Sequence, residues 1–143
     1  MSETKSIVVE YDLPHSPDHV WRALTDSELL AKWLMPNDIA PVVGHKFNFK
    51  SQPRGDWDGI VYCEVQIVEP LKRFRYTWCG GNTDNPHRLN TIVTWTLTPG
   101  GAGTKLLFEH DGFRDENATT YEAMNGGWRT HVAERMARTL AEG

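Results

Sequence analysis

The chain has 143 residues, 39% of them hydrophobic and 24% charged, with a formal net charge of −4. That is the size and make-up of one globular domain, 1–143, able to bury a core without staples. An acidic balance with a single basic cluster, Lys72, Arg73 and Arg75, excludes a nucleic-acid partner, because phosphate backbones are gripped by dense Lys and Arg; no apolar run is long enough for a membrane span, Met1 to Ser6 lacks an apolar signal core, and a cytoplasmic location is the default expectation.

From the N-terminus, Ile7, Val9, Tyr11 and Leu13 alternate with Val8, Glu10 and Asp12, the period of a half-buried strand. Ser16, Pro17 and Asp18 form a helix start: a cap, a residue suited to the first position and a charge matched to the positive end. Val20, Trp21 and Leu24 follow at helical spacing. Thr25 to Glu28 reads as a capping box opening a second helix, striped by Leu29, Leu30, Trp33 and Leu34 and stopped at Pro36.

From Asp38 to Phe113 the pattern is β throughout. A short segment, Ile39 to Val43, precedes Gly44. His45, Phe47 and Phe49 alternate with polar residues, as do Val61, Cys63, Val65 and Ile67, then Phe74, Tyr76 and Trp78. Leu89, Thr91, Val93, Trp95 and Leu97 follow, then Leu106, Phe108 and His110. Turns are expected from Pro53 to Asp58, at Glu69-Pro70, from Gly80 to Pro86 and from Pro99 to Gly103; Asp111-Gly112 ends the last strand. Short turns make neighbours antiparallel, and one polar face per strand leaves the other to be covered by helices. Residues 116–141 supply the cover: Tyr121, Met124, Trp128, Val132, Met136 and Leu140 recur at three or four residues, the stripe of one long amphipathic helix. The fold class is α+β: a strand, two short helices, a curved antiparallel sheet of six or seven strands, and a long C-terminal helix packed across it.

This order resembles the helix-grip fold of the START-related SRPBCC superfamily. Pro17-x-x-Val20-Trp21-x-x-Leu24-Thr25-Asp26 with Leu30-x-x-Trp33, Gly59-x-Val61 leading to Val68-Glu69-Pro70, Tyr76-Thr77-Trp78, Gly103-Thr104-Lys105-Leu106 and Gly127-Trp128 are similar, in order and spacing, to the family named after the activator of heat-shock-protein-90 ATPase. Arg135 departs from that pattern, where an aliphatic residue is expected. The resemblance implies a helix-grip domain; members include polyketide cyclases, lipid carriers and cochaperone domains, so the fold alone does not settle the activity.

A strongly curved sheet under one helix leaves a gap, and such gaps are the usual small-molecule sites. The expected ligand contacts are Tyr76, Trp78, Val93, Trp95, Phe108, Met124 and Trp128, with His110 and His131 orienting one polar group. Arg135, one turn further on, either grips an acidic ligand or lies at the rim with its stem buried. Trp21 and Trp33 read as core, and Trp57 as a turn residue. Gly126-Gly127 reads as a close approach of the helix to its neighbours. Cys63 and Cys79, without a CxxC partner, read as free buried thiols. His15 and His19 have a helical metal spacing but no third ligand, so no metal is expected. No phosphate loop, GxGxxG or GxSxG occurs, so neither a cofactor nor a nucleophile elbow is expected.

The leading expectation is therefore a binding module for a small hydrophobic or amphipathic ligand, with no assigned reaction and no catalytic residue. An enzyme is the first alternative, a cyclase or hydrolase in which His110, His131 or Arg135 converge. A cochaperone-like domain that binds a heat-shock-protein-90-type ATPase is the second; the resemblance implies that the full cochaperone carries a further N-terminal domain, which this sequence lacks. Outward Val8 and Ile92 suggest a homodimer patch.

Overall fold

The computed structural model describes residues 5–52, 59–80, 89–101, 103–114 and 118–142. Period-two alternation resolves into six strands among these residues: β1 (Lys5–Leu13), β2 (Lys46–Lys50), β3 (Ile60–Glu69), β4 (Arg73–Gly80), β5 (Leu89–Gly100) and β6 (Gly103–Phe113). They form one antiparallel sheet in the order β1-β6-β5-β4-β3-β2. The first strand therefore pairs with the last. The segment from β1 to β2 must cross to the far edge, carrying α1 (Pro17–Thr25) and α2 (Ser27–Trp33) with it. The turn expected from Pro53 to Asp58, with Trp57, and the loop expected after Gly80 up to Pro86 lie outside the described residues.

Ile39 to Val43 is not a strand; that side of the sheet is closed instead by a single bridge, Asn37 to Phe49. The Asp38 carboxylate accepts from the Asn48 amide at 2.9 Å, and the Pro36 carbonyl from the Lys50 amide at 3.0 Å. These contacts occupy an edge that would otherwise invite another strand. The edge of β1 is blocked by side chains: Arg129 Nη2 donates to the Val8 carbonyl at 3.0 Å and Tyr121 Oη to the Ser6 carbonyl at 3.2 Å.

Ser16 caps α1, its hydroxyl accepting from the His19 amide at 3.3 Å, with Pro17 at the first position. The second cap is Asp26 rather than Thr25. Its carboxylate accepts from the Glu28 and Leu29 amides at 3.0 and 3.3 Å, while the Thr25 hydroxyl turns back to the Trp21 carbonyl. An anionic oxygen at the positive end of a helix outcompetes a hydroxyl there.

The strands show the expected inward faces, with two dislocations. A bulge between Val65 and Ile67 ends the strict alternation of β3, so that Ile67 is only half-buried and Val68 packs against the core. A second irregularity, where Lys5 pairs with Phe113 and Ser6 with Asp111, carries β6 past Gly112 (φ +103°) and turns Phe113 into the interior. Gly103 is required by proximity, since a Cβ there would collide with the Leu13 carbonyl oxygen.

The long C-terminal helix is two segments, α3 (Ala118–Arg129) and α4 (His131–Glu142), bent at Thr130. The Thr130 amide is shared between the Gly126 and Gly127 carbonyls at 3.1 and 3.3 Å, and its hydroxyl bonds back to Gly126 at 2.8 Å. Such back-bonding by threonine bends helices. The two glycines do not serve a close approach, because a Cβ at either would meet nothing within 4 Å. Val8 is 49% exposed and Ile92 half-buried. The strand β6 runs between them, and its Glu109 and Asp111 interrupt any continuous apolar patch. Cys63 and Cys79 are both free and buried.

Gly126 is exposed inside a helix, so Gly126→Ala should raise unfolding stability by about 0.5–1 kcal/mol. Gly103→Ala should lower it by about 1–3 kcal/mol, because the Leu13 backbone must move. Urea denaturation of both variants measures this; a neutral Gly103→Ala would contradict the packing described.

Candidate functional site

The inward positions of β4, β5 and β6 form rows across the sheet. Phe74, Trp95 and Phe108 make one row, Tyr76, Val93 and His110 the next, and Trp78 sits opposite Thr91 at the end. Trp33 of α2 closes over the first row, edge-on to Trp95 at 5.8 Å, with its indole N–H donated to the Ala23 carbonyl at 3.0 Å. Trp128 of α3 closes over the middle, 4.2 Å from Phe108, 5.9 Å from Trp95 and 5.7 Å from Trp78. Its carbonyl accepts the Tyr11 hydroxyl at 2.6 Å. Burial raises the Tyr11 phenol well above its ordinary value, so this donor stays protonated.

Much of the expected ligand wall is thereby spent on itself. Trp95 and Phe108 are fully buried with ring centroids 4.5 Å apart. Tyr76 lies among Phe47, Phe49 and Phe74, its hydroxyl accepting the Trp95 indole N–H at 3.0 Å. Val93 is fully buried between Tyr76 and His110 in register. Trp33 is core as expected, and Trp21, partly buried, packs edge-on to Phe74.

The exception to this apolar packing is His110. It is 0% exposed and ringed by Phe113 at 4.5 Å, Trp78 at 5.5 Å, Phe108 at 5.9 Å and Trp128 at 6.2 Å. Its Nε2 lies 2.7 Å from the Thr91 hydroxyl, which in turn lies 2.7 Å from the Trp78 carbonyl. Its Nδ1 is buried and has no hydrogen-bond partner among the described residues. Burial lowers the imidazole from its ordinary 6.5 to about 3, so the ring is neutral at physiological pH. A buried polar atom without a partner is uncommon enough to call for a cause.

His131 and Arg135 do not join His110: both are exposed. Beyond the bend at Thr130 the inward face of α4 is Met136, Thr139 and Leu140, and His131 and Arg135 lie on its solvent side. Met124 is half-buried on α3 against the core, beside half-buried Gly127. An open groove of about 640 Å³ lies elsewhere, at the opposite end of the sheet, between Pro17, the Glu69–Arg73 turn and Thr96–Pro99.

Sequence reasoning singled out His110 but passed over Thr91 and Phe113. Thr91 was legible as a polar residue in an apolar row; Phe113 was hidden by the bulge at Gly112. His15 and His19 stack on each other at 5.1 Å, and no group of three metal-ligating side chains occurs among the described residues.

An antiparallel sheet gripped by a bent C-terminal helix, with an aromatic interior, defines a helix-grip α+β protein. The chain belongs to the family of Activator of Hsp90 ATPase homolog 1-like proteins, whose model matches residues 14–141. Its structure is similar to protein MLL2253 from Mesorhizobium loti, with 38% identity over 96% of this chain and 98% of that one and a TM-score of 0.87. DynU16, a putative protein in the dynemicin biosynthetic locus, is 26% identical over 95% of this chain and 47% of that chain, with a TM-score of 0.75. The Aha1 dimer from Colwellia psychrerythraea shares the fold at 20% identity, covering 91% of this chain and 92% of that one, with a TM-score of 0.71. Comparison with curated proteins gives no match. No described helix is long and apolar enough to cross a membrane.

The neutral, buried His110 has a consequence for stability. Its pKa is lower folded than unfolded, so below pH 6.5 the unfolded chain binds a proton that the folded one refuses. Stability should be level above that pH and fall below it, by on the order of 1 kcal/mol per pH unit from this group. His110→Leu should remove this part of the slope between about pH 6.5 and 5, a window above the usual carboxylate range. Urea midpoints for both proteins across that window decide it; parallel curves would contradict a neutral buried imidazole.

Proposed function

We propose that this chain binds a small apolar or amphipathic molecule between the sheet and α3, at the end of the sheet where Trp78, His110, Phe113 and Trp128 meet. The observation that carries this reading is the unpartnered Nδ1 of His110 inside an otherwise apolar cage. A core serving stability alone gains nothing from an imidazole there, since burying an unpaired polar atom costs about 1–3 kcal/mol. Half-buried Met124 and Gly127 on α3 support an approach to the cage from that side, as does the open space a Cβ at Gly127 would meet. The site is narrower than the wall expected from the sequence: Trp78, His110, Met124 and Trp128 remain contacts, while Tyr76, Val93, Trp95 and Phe108 back them, and His131 and Arg135 stand outside. Affinity would come from apolar burial, at about 25 cal/mol per Å².

Nothing on α4 supports a reaction, because the groups an acid–base or anion-gripping mechanism would need do not converge with His110. DynU16 is a putative protein of a biosynthetic locus and the Colwellia protein is a dimer; neither favours catalysis or self-association here over ligand binding.

Titration with the neutral dye Nile red tests the site. Its fluorescence should rise on binding, and Met124→Glu should weaken binding about tenfold by placing a charge in the apolar wall. Leu71→Asp, in the groove at the other end of the sheet, should leave binding unchanged. The reverse pattern would move the site to that groove and overturn the assignment.

A further inference from the structure

The Thr91 hydroxyl has one proton. It lies 2.7 Å from the Trp78 carbonyl, which can only accept, so the proton goes there. The same oxygen lies 2.7 Å from His110 Nε2 and, with its proton spent, accepts from that nitrogen. Nε2 therefore carries the single proton of the neutral ring, and Nδ1 presents a bare lone pair. The chain from His110 through Thr91 to Trp78 runs in one direction and fixes the tautomer, each bond polarising the next. The rings around His110 are Trp78, Phe108, Phe113 and Trp128, none of them charged.

Resting on the binding site proposed above, we infer that its ligand carries a neutral hydrogen-bond donor, a phenolic or alcoholic hydroxyl given to His110 Nδ1, and that a carboxylate in that place is rejected. A hydroxyl would meet an acceptor that has no other partner among the described residues. A carboxylate would set its own lone pairs against that of Nδ1, with no cation among the described rings to replace the water it lost. Recruiting a proton to Nδ1 would make a buried imidazolium among aromatic rings, which the same burial opposes. Recognition of this kind, a protein acceptor satisfied only by the correct ligand group, discriminates more strongly than apolar fit.

Three probes of one shape separate the possibilities: β-naphthol, β-naphthoate and β-methylnaphthalene, titrated into the full chain near pH 7 with the His110 ring nitrogens followed by ¹⁵N NMR. β-Naphthol should bind at least about tenfold more tightly than the other two, and the Nδ1 resonance should move while Nε2 keeps its proton. In His110→Leu that advantage over β-methylnaphthalene should vanish. In Thr91→Val the tautomer is released, so β-naphthoate should gain on β-naphthol. Equal or tighter binding of β-naphthoate to the unmodified chain would overturn the inference and leave the site standing. Equal binding of β-naphthol and β-methylnaphthalene would overturn it in favour of a water held by Nδ1. Failure of all three to bind would overturn the site, and the inference with it. Should either variant fail to fold, the probe ranking and the Nδ1 response of the unmodified chain decide the matter.

Discussion

The seating of Trp128 on the sheet governs the rest of the structure. Its indole rests on Phe108 and against Trp95 and Trp78, while its carbonyl takes the Tyr11 hydroxyl. One residue of the cover is thus fixed by packing to β6, β5 and β4 and by a hydrogen bond to β1. An aromatic of this size buries about 150–250 Å², an upper estimate of roughly 4–6 kcal/mol at about 25 cal/mol per Å². With Trp128 held, the position of α3 along β1 is set. Arg129 and Tyr121 then reach the Val8 and Ser6 carbonyls and cover the sheet edge.

Beyond Trp128 the helix bends at Thr130, through its shared amide and back-bonded hydroxyl. Met136, Thr139 and Leu140 then pack inward, while His131 and Arg135 lie in solvent. Among the described residues the surroundings of His110 are aromatic rings and the Thr91 hydroxyl, and burial keeps the imidazole neutral. What that ring has left to offer is the lone pair on Nδ1.

Strand order aside, the architecture was legible in the sequence because alternation and helical spacing report burial directly. Ile7, Val9, Tyr11 and Leu13 are buried as their pattern requires, as are Met136 and Leu140. What escaped were features set by tertiary contact. Asp26 displaced Thr25 as a cap because a carboxylate binds two amides at once. The bulges at Val65 and Gly112 changed which residues face inward without any break in composition. The candidate site was half legible. His110 stood out as an inward histidine, but the meaning of Thr91 depends on its proximity to both Nε2 and the Trp78 carbonyl. A one-dimensional pattern cannot carry a relation among three strand positions.

The two ends of the sheet divide their work. At one end α1, α2 and α4 pack together, and Trp33 drives its indole between the helices and Trp95 while satisfying its own N–H on Ala23. The indole N–H of that tryptophan is thus spent, so Trp33 itself has no hydrogen bond to offer a ligand. At the other end, among the described residues, α3 covers Trp78, His110 and Phe113, with partly buried Tyr121 and Met124 at its face. The imidazole there keeps an unused acceptor. The asymmetry follows from topology: the crossover from β1 to β2 carries both early helices to one end, and among the described residues α3 lies over the other. The imidazole nitrogen without a described partner lies at that second end, where the polar interior and the aromatic cover meet.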